Sequence, residues 1–385
     1  MMDKKIKIIF FTGNRAEFGL MVPIIKEALK CNIQCKLIVS GAHLNSNYGN
    51  TIQEIKYEGI NVDYKIELMK SEERKNSIHE ESIEIIDKVG KILINERPDY
   101  FFVLGDRYET YAAASAALFS QVPIAHEGGG TITSGGCLDD IIRHAITKLA
   151  SLHFVTCETN YNNVRRLGEE EWRVCLSGST AMDTILQEKI VLKSELENEL
   201  NINFEQPVIL FTQHPVFSEH EKSKEQIIES LEALKELGYQ TIITFPNSDI
   251  GSNDIIEQYH KYRKVKNFKF VESLGRKRYL SVMKYCSAVV GNSSSGLLET
   301  PIFKIPAVNI GFRQSGRIRS SNVIDVGYDR KEIEIAIKRC IDDENFKKQV
   351  KKCYNPFGNG NASTKIVNFL KCNYKNSNLL RKKLL

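Results

Sequence analysis

The sequence predicts an α/β protein made of two doubly wound, Rossmann-like domains, and three observations carry that prediction. Short apolar, β-rich runs alternate with amphipathic stretches of helical length, as in βαβ units with a parallel sheet. The same alternation restarts after a polar, charged segment from Gln187 to Gln206. At 385 residues the chain also exceeds the roughly 250–300 at which one hydrophobic core stops growing. The expected domains are residues 1–180 and 181–365, with a last helical segment, 366–385, crossing back to the first.

In chain order, Ile6–Phe11 reads as a strand followed by a helix over Phe18–Lys30. Cys35–Val39 is followed by a helix over Asn50–Glu58, and Tyr100–Leu104 by one over Glu109–Phe119. Each apolar run is nearly unbroken, as expected of strands covered on both faces. A strand-like Val174–Leu176 precedes a linker near Gly178–Asp183. The second domain reads as strand Val208–Phe211, helix Gln226–Leu237, then strands Thr241–Phe245, Phe268–Val271, Ala288–Val290 and Ala307–Ile310. A final helix runs from Ala362 to about Cys372.

Composition narrows the function classes. With 42% hydrophobic and 26% charged residues the chain is neither disordered nor membrane-like. The net charge of +5 is dispersed, and the densest basic stretch, Arg381-Lys382-Lys383, lacks the clustered bases and aromatics of a nucleic-acid surface. Ile6–Phe11 is too short for a signal segment or a membrane span, so a cytoplasmic protein with no membrane partner is expected. Nine cysteines without CxxC spacing read as free thiols, Cys31 and Cys35 included, rather than as disulfides or a zinc site.

The polar motifs fall where strands end. Thr12-Gly13-Asn14-Arg15-Ala16-Glu17 joins the first strand to its helix. Gly13 permits a tight turn, and Arg15 either meets a phosphate with its planar fork or serves only as a cap or ion pair. The segment is not GxGxxG, which disfavours a nicotinamide cofactor. Gly105-Asp106-Arg107-Tyr108-Glu109 puts Asp106 at a sheet's carboxyl edge, as a catalytic acid or base, a ligand for sugar hydroxyls, or a helix N-cap. In His126-Glu127-Gly128-Gly129-Gly130-Thr131 and on to Asp139-Asp140, the glycines suit a loop that approaches a ligand closely, with Glu127 and Asp139 at its two ends. Asp139 is alternatively a helix cap, and His126 with His144 match no standard metal spacing.

In the second domain, His214 ends a strand and binds phosphate, donates to a leaving oxygen or is structural. Gly291-Asn292-Ser293-Ser294-Ser295-Gly296-Leu297-Leu298-Glu299 leads into a helix cut short by Pro301. Its small hydroxyl residues Ser293, Ser294 and Ser295, with Gly296, read as a phosphate cradle, and Glu299 as an acceptor for a ribose diol; serine capping without a ligand is the alternative. Arg313, Arg317 and Arg319 lie within seven residues and read as charge neutralisation for a diphosphate or as a solvated loop.

Together these segments resemble the hydrolysing UDP-N-acetylglucosamine 2-epimerases of sialic and legionaminic acid biosynthesis. The likeness runs from Gly13-Asn14-Arg15-Ala16-Glu17 through Gly105-Asp106-Arg107-Tyr108-Glu109, Asp139 to Lys148, His214-Pro215-Val216 and Pro246-Asn247-Ser248-Asp249, to Gly291–Gly296 and Arg313–Arg317. The resemblance implies two Rossmann domains facing a cleft in the arrangement called GT-B, no metal or redox cofactor, a UDP-sugar partner and a homo-oligomer. It also implies loss of the C2 proton and the nucleotide to give a 2-acetamidoglycal, then addition of water at C1 and return of a proton to C2 on the opposite face. By motif, Asp106 and Asp139 match acidic positions used in catalysis, and Ser294, Ser295, Glu299 and Arg15 match nucleotide contacts.

One departure stands out. The family's His-X-Glu-Gly-Gly, with a further acid after the glycines, is here His126-Glu127-Gly128-Gly129-Gly130-Thr131, so Glu127 is shifted by one position and Thr131 replaces the later acid. The expectation is that the loop bends and Glu127 still reaches the sugar. UDP-N-acetylglucosamine and UDP-N,N′-diacetylbacillosamine both fit as substrates. A GT-B glycosyltransferase, a non-hydrolysing 2-epimerase and an inactive nucleotide-sugar sensor are the competing readings.

Overall fold

The computed structural model describes residues 5–44, 52–68, 77–132, 138–246 and 251–383. The chain forms two compact units, Met1–Leu186 with Phe357–Leu385, and Gln187–Pro356.

The first unit runs β1 (Lys7–Thr12), α1 (Arg15–Lys30), β2 (Gln34–Val39), α2 (Ile52–Tyr57), β3 (Tyr64–Lys65), α3 (Ser77–Glu96), β4 (Tyr100–Leu104) and α4 (Tyr108–Phe119). It continues with β5 (Ile124–Glu127), α5 (Leu138–Leu149), β6 (Leu152–Val155), α6 (Glu158–Arg166), β7 (Val174–Leu176) and α7 (Thr180–Gln187). Its seven-stranded sheet has the order β3-β2-β1-β4-β5-β6-β7, and every pairing is parallel.

Strand alternation sorts the core into two layers. Ile8, Phe10, Tyr100 and Phe102 face one side with α1, whereas Ile9, Phe11, Phe101 and Val103 face the other with α3 and α4. Each of these fully buried side chains contributes about 1.5–3 kcal/mol, which is why unbroken apolar runs make central strands.

The second unit runs α8 (Lys193–Leu200), β8 (Val208–Thr212), α9 (Ser223–Leu237), β9 (Gln240–Thr244), α10 (Ser252–Tyr262), β10 (Phe268–Val271) and α11 (Gly275–Tyr285). After these come β11 (Ala288–Gly291), the single turns α12 (Ser295–Leu298) and α13 (Thr300–Phe303), β12 (Ala307–Ile310), β13 (Val323–Val326), α14 (Arg330–Asp342) and α15 (Glu344–Lys351). Its parallel six-stranded sheet has the order β10-β9-β8-β11-β12-β13.

The last helix, α16 (Ala362–Asn373), belongs to the first unit. Its Ile366, Val367 and Leu370 join the layer of Ile24, Ile25 and Ala28 on α1, and the Tyr100 hydroxyl donates to the Leu370 carbonyl at 3.1 Å. Asp183 of α7 accepts from the Ala362 and Ser363 amides at 2.9 and 2.7 Å, so a carboxylate satisfies orphan donors where α16 begins.

Both sheets are doubly wound, the fold class that the alternation predicts. Each also has one place where strand order reverses: between β1 and β4, and between β8 and β11. Ligands of such sheets bind in the crevice outside the carboxyl ends of the strands at that point.

Candidate active site

At the first switch point the turn Gly13-Asn14 follows β1, and Gly105-Asp106-Arg107 follows β4. Gly105 has φ +89°, a backbone open to glycine and strained for other residues, and it brings Asp106 out at the sheet edge. Asp106 is not the N-cap of α4: Arg107 holds that position, with no side-chain capping bond. The Asp106 carboxylate instead accepts from Arg143 on α5. Arg143 also donates to Asp140 and, at 2.7 Å, to the Thr131 carbonyl. Burial works against the Arg143 charge, but Asp106 and Asp140 outweigh it and raise its pKa. The network is therefore one buried guanidinium between two carboxylates, and the sequence reading gave neither Arg143 nor Asp140 a role.

Asp139 is exposed in the first turn of α5, where the helix dipole favours a carboxylate. Residues 133–137 of the glycine loop lie outside the described residues. Its first part is fixed by α6, with Asn163 donating to the Gly130 carbonyl and Asn160 to the Thr131 hydroxyl, both at 2.9 Å. A Cβ on Gly130 would stand 2.3 Å from the Asn160 carbonyl oxygen, so only glycine fits there.

Glu127 departs from expectation. It is the last residue of β5, not a loop residue, and is 3% exposed; the turn begins at Gly128 with φ +96°. The Thr180 hydroxyl donates to Glu127 Oε1 at 2.9 Å, and Oε2 has no hydrogen-bond partner among the described residues. Burial pushes its pKa up to about 8, so the side chain carries a proton at neutral pH. On the opposite face of β5, His126 is buried and pushed down to about 3, and its Nε2 lies 2.9 Å from the Gly105 carbonyl. A neutral His126 thus donates to that carbonyl and supports the Asp106 turn. Among the described residues no group of three metal-ligating side chains occurs.

Arg15 is the first residue of α1, and its side chain lies outside the described residues. The neighbouring Glu17, which the sequence reading assigned no role, is buried beneath the turn: the Gly13 amide donates to Oε2 at 3.0 Å and the Thr110 hydroxyl to Oε1 at 3.3 Å.

At the second switch point Asn292 ties the ends of β8 and β11 together. Its Oδ1 accepts from the His214 amide at 2.7 Å, and its Nδ2 donates to the His214 carbonyl at 2.8 Å. The Asn292 carbonyl in turn accepts from Arg313 at 3.3 Å and Gln314 at 2.9 Å. Gly291 is confined by its position: φ is +128°, and a Cβ would meet the Thr212 carbonyl oxygen at 1.9 Å. Ser293, Ser294 and Ser295 lie in this turn, where the Ser293 hydroxyl accepts from the Ser295 amide at 3.4 Å, and Gly296 packs toward Ala307 of β12. The helix expected after the serines is two single turns broken at Glu299, with Pro301 inside the second.

Glu299, Ser295, Tyr279, Arg276 and Thr244 line a cavity of about 340 Å³ within this unit. Burial raises the Glu299 pKa against the opposing hydrogen bond from Ser295 and the charge of Arg276. Arg317 is exposed. Arg319 corrects the reading of three arginines for one diphosphate, because it pairs with Asp325 at the sheet edge and donates to the Gln314 carbonyl at 2.9 Å. Its fork is used in holding its own loop.

The fold defines an α/β protein of two doubly wound units, a class whose ligands bind at the carboxyl ends of the strands. Residues 27–371 match the model of the UDP-N-acetylglucosamine 2-epimerase family, and the chain belongs to that family. It is 35% identical over 326 residues to the hydrolysing GDP/UDP-N,N′-diacetylbacillosamine 2-epimerase of Campylobacter jejuni, covering 83% of this chain and 84% of that one. Against the hydrolysing UDP-N,N′-diacetylbacillosamine 2-epimerase of Legionella pneumophila, identity is 31% over 377 residues, 98% of each chain. Among solved structures, UDP-GlcNAc 2-epimerase from Neisseria meningitidis bound to UDP-GlcNAc matches at a TM-score of 0.78 and 23% identity, covering 96% of this chain and 100% of that one. That likeness extends the shared fold along the whole relative.

Proposed function

We propose that the protein is a hydrolysing 2-epimerase of a UDP-activated N-acetylamino sugar, with UDP-N,N′-diacetylbacillosamine as the substrate and UDP and 2,4-diacetamido-2,4,6-trideoxymannose as the products. The observation that carries this reading is the identity above 30%, over most of the chain, with two relatives named for that reaction. In the first step a base takes the C2 proton while the C1–O bond to the diphosphate breaks, leaving a C1=C2 double bond. In the second, water supplies OH to C1, and a proton reaches C2 on the opposite face. A weakly acidic C–H and a charged leaving group call for carboxyl groups together with cationic or N–H donors.

Asp106, Glu127 and Asp139 supply the carboxyl groups. Glu127, kept protonated by burial, suits the proton donor, while Asp106 and Asp139 suit the base and the activation of water. Arg15, His214, Ser293, Ser294, Ser295, Gly296, Arg313 and Arg317 take the diphosphate, and Glu299 takes the ribose diol beside the cavity it lines. Placement in nonulosonic acid synthesis and a homo-oligomeric assembly belong to the same reading. UDP-N-acetylglucosamine giving N-acetylmannosamine is the second reading, favoured by the family that the chain matches.

The test is to incubate the purified protein, without any acceptor, with UDP-N,N′-diacetylbacillosamine, its GDP counterpart and UDP-N-acetylglucosamine, and to measure free nucleotide. Release of UDP from the first is expected. Release only when an acceptor sugar is added would replace the reading with a glycosyltransferase.

A further inference from the structure

Glu17 occupies the third position of α1 and completes a capping arrangement: Asn14 Oδ1 accepts the Glu17 amide at 3.0 Å while the Glu17 carboxyl reaches back to the Gly13 amide. A cap on a helix surface ends there. This one is 6% exposed, and its other oxygen is bonded across to Thr110 on α4, 93 residues away. Gly105 is the third neighbour. A Cβ at that glycine would lie 3.7 Å from Glu17 Oε1, so the carboxyl packs directly against the turn that presents Asp106. Glu109, whose carboxylate pairs with Arg107 at 3.2 Å, fills the other side of Gly13. Two helices and both turns of the switch point therefore meet at one carboxyl group. Burial, with Glu109 adding to it against the Gly13 amide, lifts the Glu17 pKa to about 7, which marks how fully the group is withdrawn from water.

We infer that Glu17 is a positioning residue for the reaction: through Gly13 and Thr110 it locks the turn after β1 to the start of α4 and so fixes the crevice in which Asp106 stands. The inference rests on the 2-epimerase reading for its consequence in turnover, but not for the tether itself. A displacement of about 1 Å at a catalytic group costs on the order of 100-fold in rate, so loss of the tether registers in kcat more than in KM, which is set by nucleotide contacts elsewhere.

The experiment compares Glu17→Ala, Glu17→Gln, Thr110→Val and the Glu17→Ala/Thr110→Val pair. The amide of Gln accepts from Gly13 and donates to the Thr110 oxygen, so Glu17→Gln is expected to keep kcat within about threefold. Glu17→Ala and Thr110→Val are expected to lower kcat by about 10- to 100-fold with KM nearly unchanged, and the pair to be no worse than Glu17→Ala alone, as residues of one linkage behave. Amide hydrogen exchange at Gly13 and Gly105, read in the same proteins without substrate, is expected to quicken by about tenfold or more in the Ala and Val variants. Wild-type kcat in Glu17→Ala, with active wild-type enzyme, would overturn the positioning role. Unchanged exchange in both turns would overturn the tether whatever the substrate proves to be. Faster exchange in a protein that turns over no UDP-sugar would uphold the tether and sink the functional reading alone.

Discussion

Glu127→Gln should stabilise the protein and disable it at once. In the native state the Glu127 carboxyl is buried against Thr180 and titrates at about 8, against 4.5 for an exposed carboxyl such as it becomes on unfolding. Below pH 4.5 both states hold the proton and the burial has no pH-dependent cost. Between pH 4.5 and 8 the native state binds more protons than the unfolded state, so stability falls as pH rises through that window. From 4.5 to 7 is about 2.5 units, and at about 1.36 kcal/mol per unit the penalty at pH 7 is about 3 kcal/mol; at pH 5 it is under about 1 kcal/mol. Gln retains an acceptor for the Thr180 hydroxyl and has no proton to lose. The variant should therefore exceed wild type by about 3 kcal/mol at pH 7, with the two converging near pH 5. Urea unfolding followed by the fluorescence of Trp172, the chain's single tryptophan and a first-unit residue packed on the core, measures this directly. Turnover should drop by about 100-fold or more, because the variant lacks the proton that the proposed function assigns to Glu127. Equal stabilities for variant and wild type across pH 5 to 8 would refute a buried, proton-bearing Glu127.

Asp106→Asn and Asp139→Asn should each abolish turnover while leaving nucleotide affinity, read by calorimetry with UDP, within about threefold; wild-type turnover in either would remove that residue from the chemistry. Glu299→Ala should weaken UDP binding by about tenfold, equivalent to about 1.4 kcal/mol for a charged hydrogen bond, with kcat little changed at saturating substrate. Gly291→Ala should destabilise the second unit by more than about 3 kcal/mol or prevent its folding, since the new Cβ would sit 1.9 Å from the Thr212 carbonyl oxygen; a soluble variant with an unchanged melting temperature would contradict the packing described.

Unbroken apolar runs made most sheet strands legible, the half-buried edge strand β10 among them, although the fully buried β6 was not read. Tyr100–Leu104, Phe268–Val271 and Ala307–Ile310 are found as read. Strand β13 was missed because its residues are half-buried or exposed and Asp325 interrupts the apolar run. The long helix α3 was missed although Ile85, Val89 and Leu93 recur at four-residue spacing, a signal that the surrounding charged residues diluted. The motif turns were legible as glycine and polar residues after apolar runs.

What joins those turns was not. Arg143 meets Asp106 across 37 residues of sequence, and Glu17 meets Thr110 across 93, so no local spacing encodes either contact. A glutamate in the first turn of a helix reads as a solvated charge, and only the meeting of the first turns of α1 and α4 at the sheet's carboxyl edge makes it a buried one. Glu127 was misread for the related reason that a glutamate before three glycines looks like loop, while its pairing with Leu104 of β4 keeps it in the sheet.

If this chain eliminates UDP across C1 and C2 of an activated amino sugar and then hydrates the resulting C1=C2 double bond, proton NMR in D₂O shows it most directly. With UDP-N,N′-diacetylbacillosamine, the account predicts that free UDP appears together with a manno-configured sugar carrying deuterium at C2. Free UDP with a sugar that keeps both its C2 proton and its original configuration would mean simple hydrolysis of the glycosyl bond, and would contradict the account.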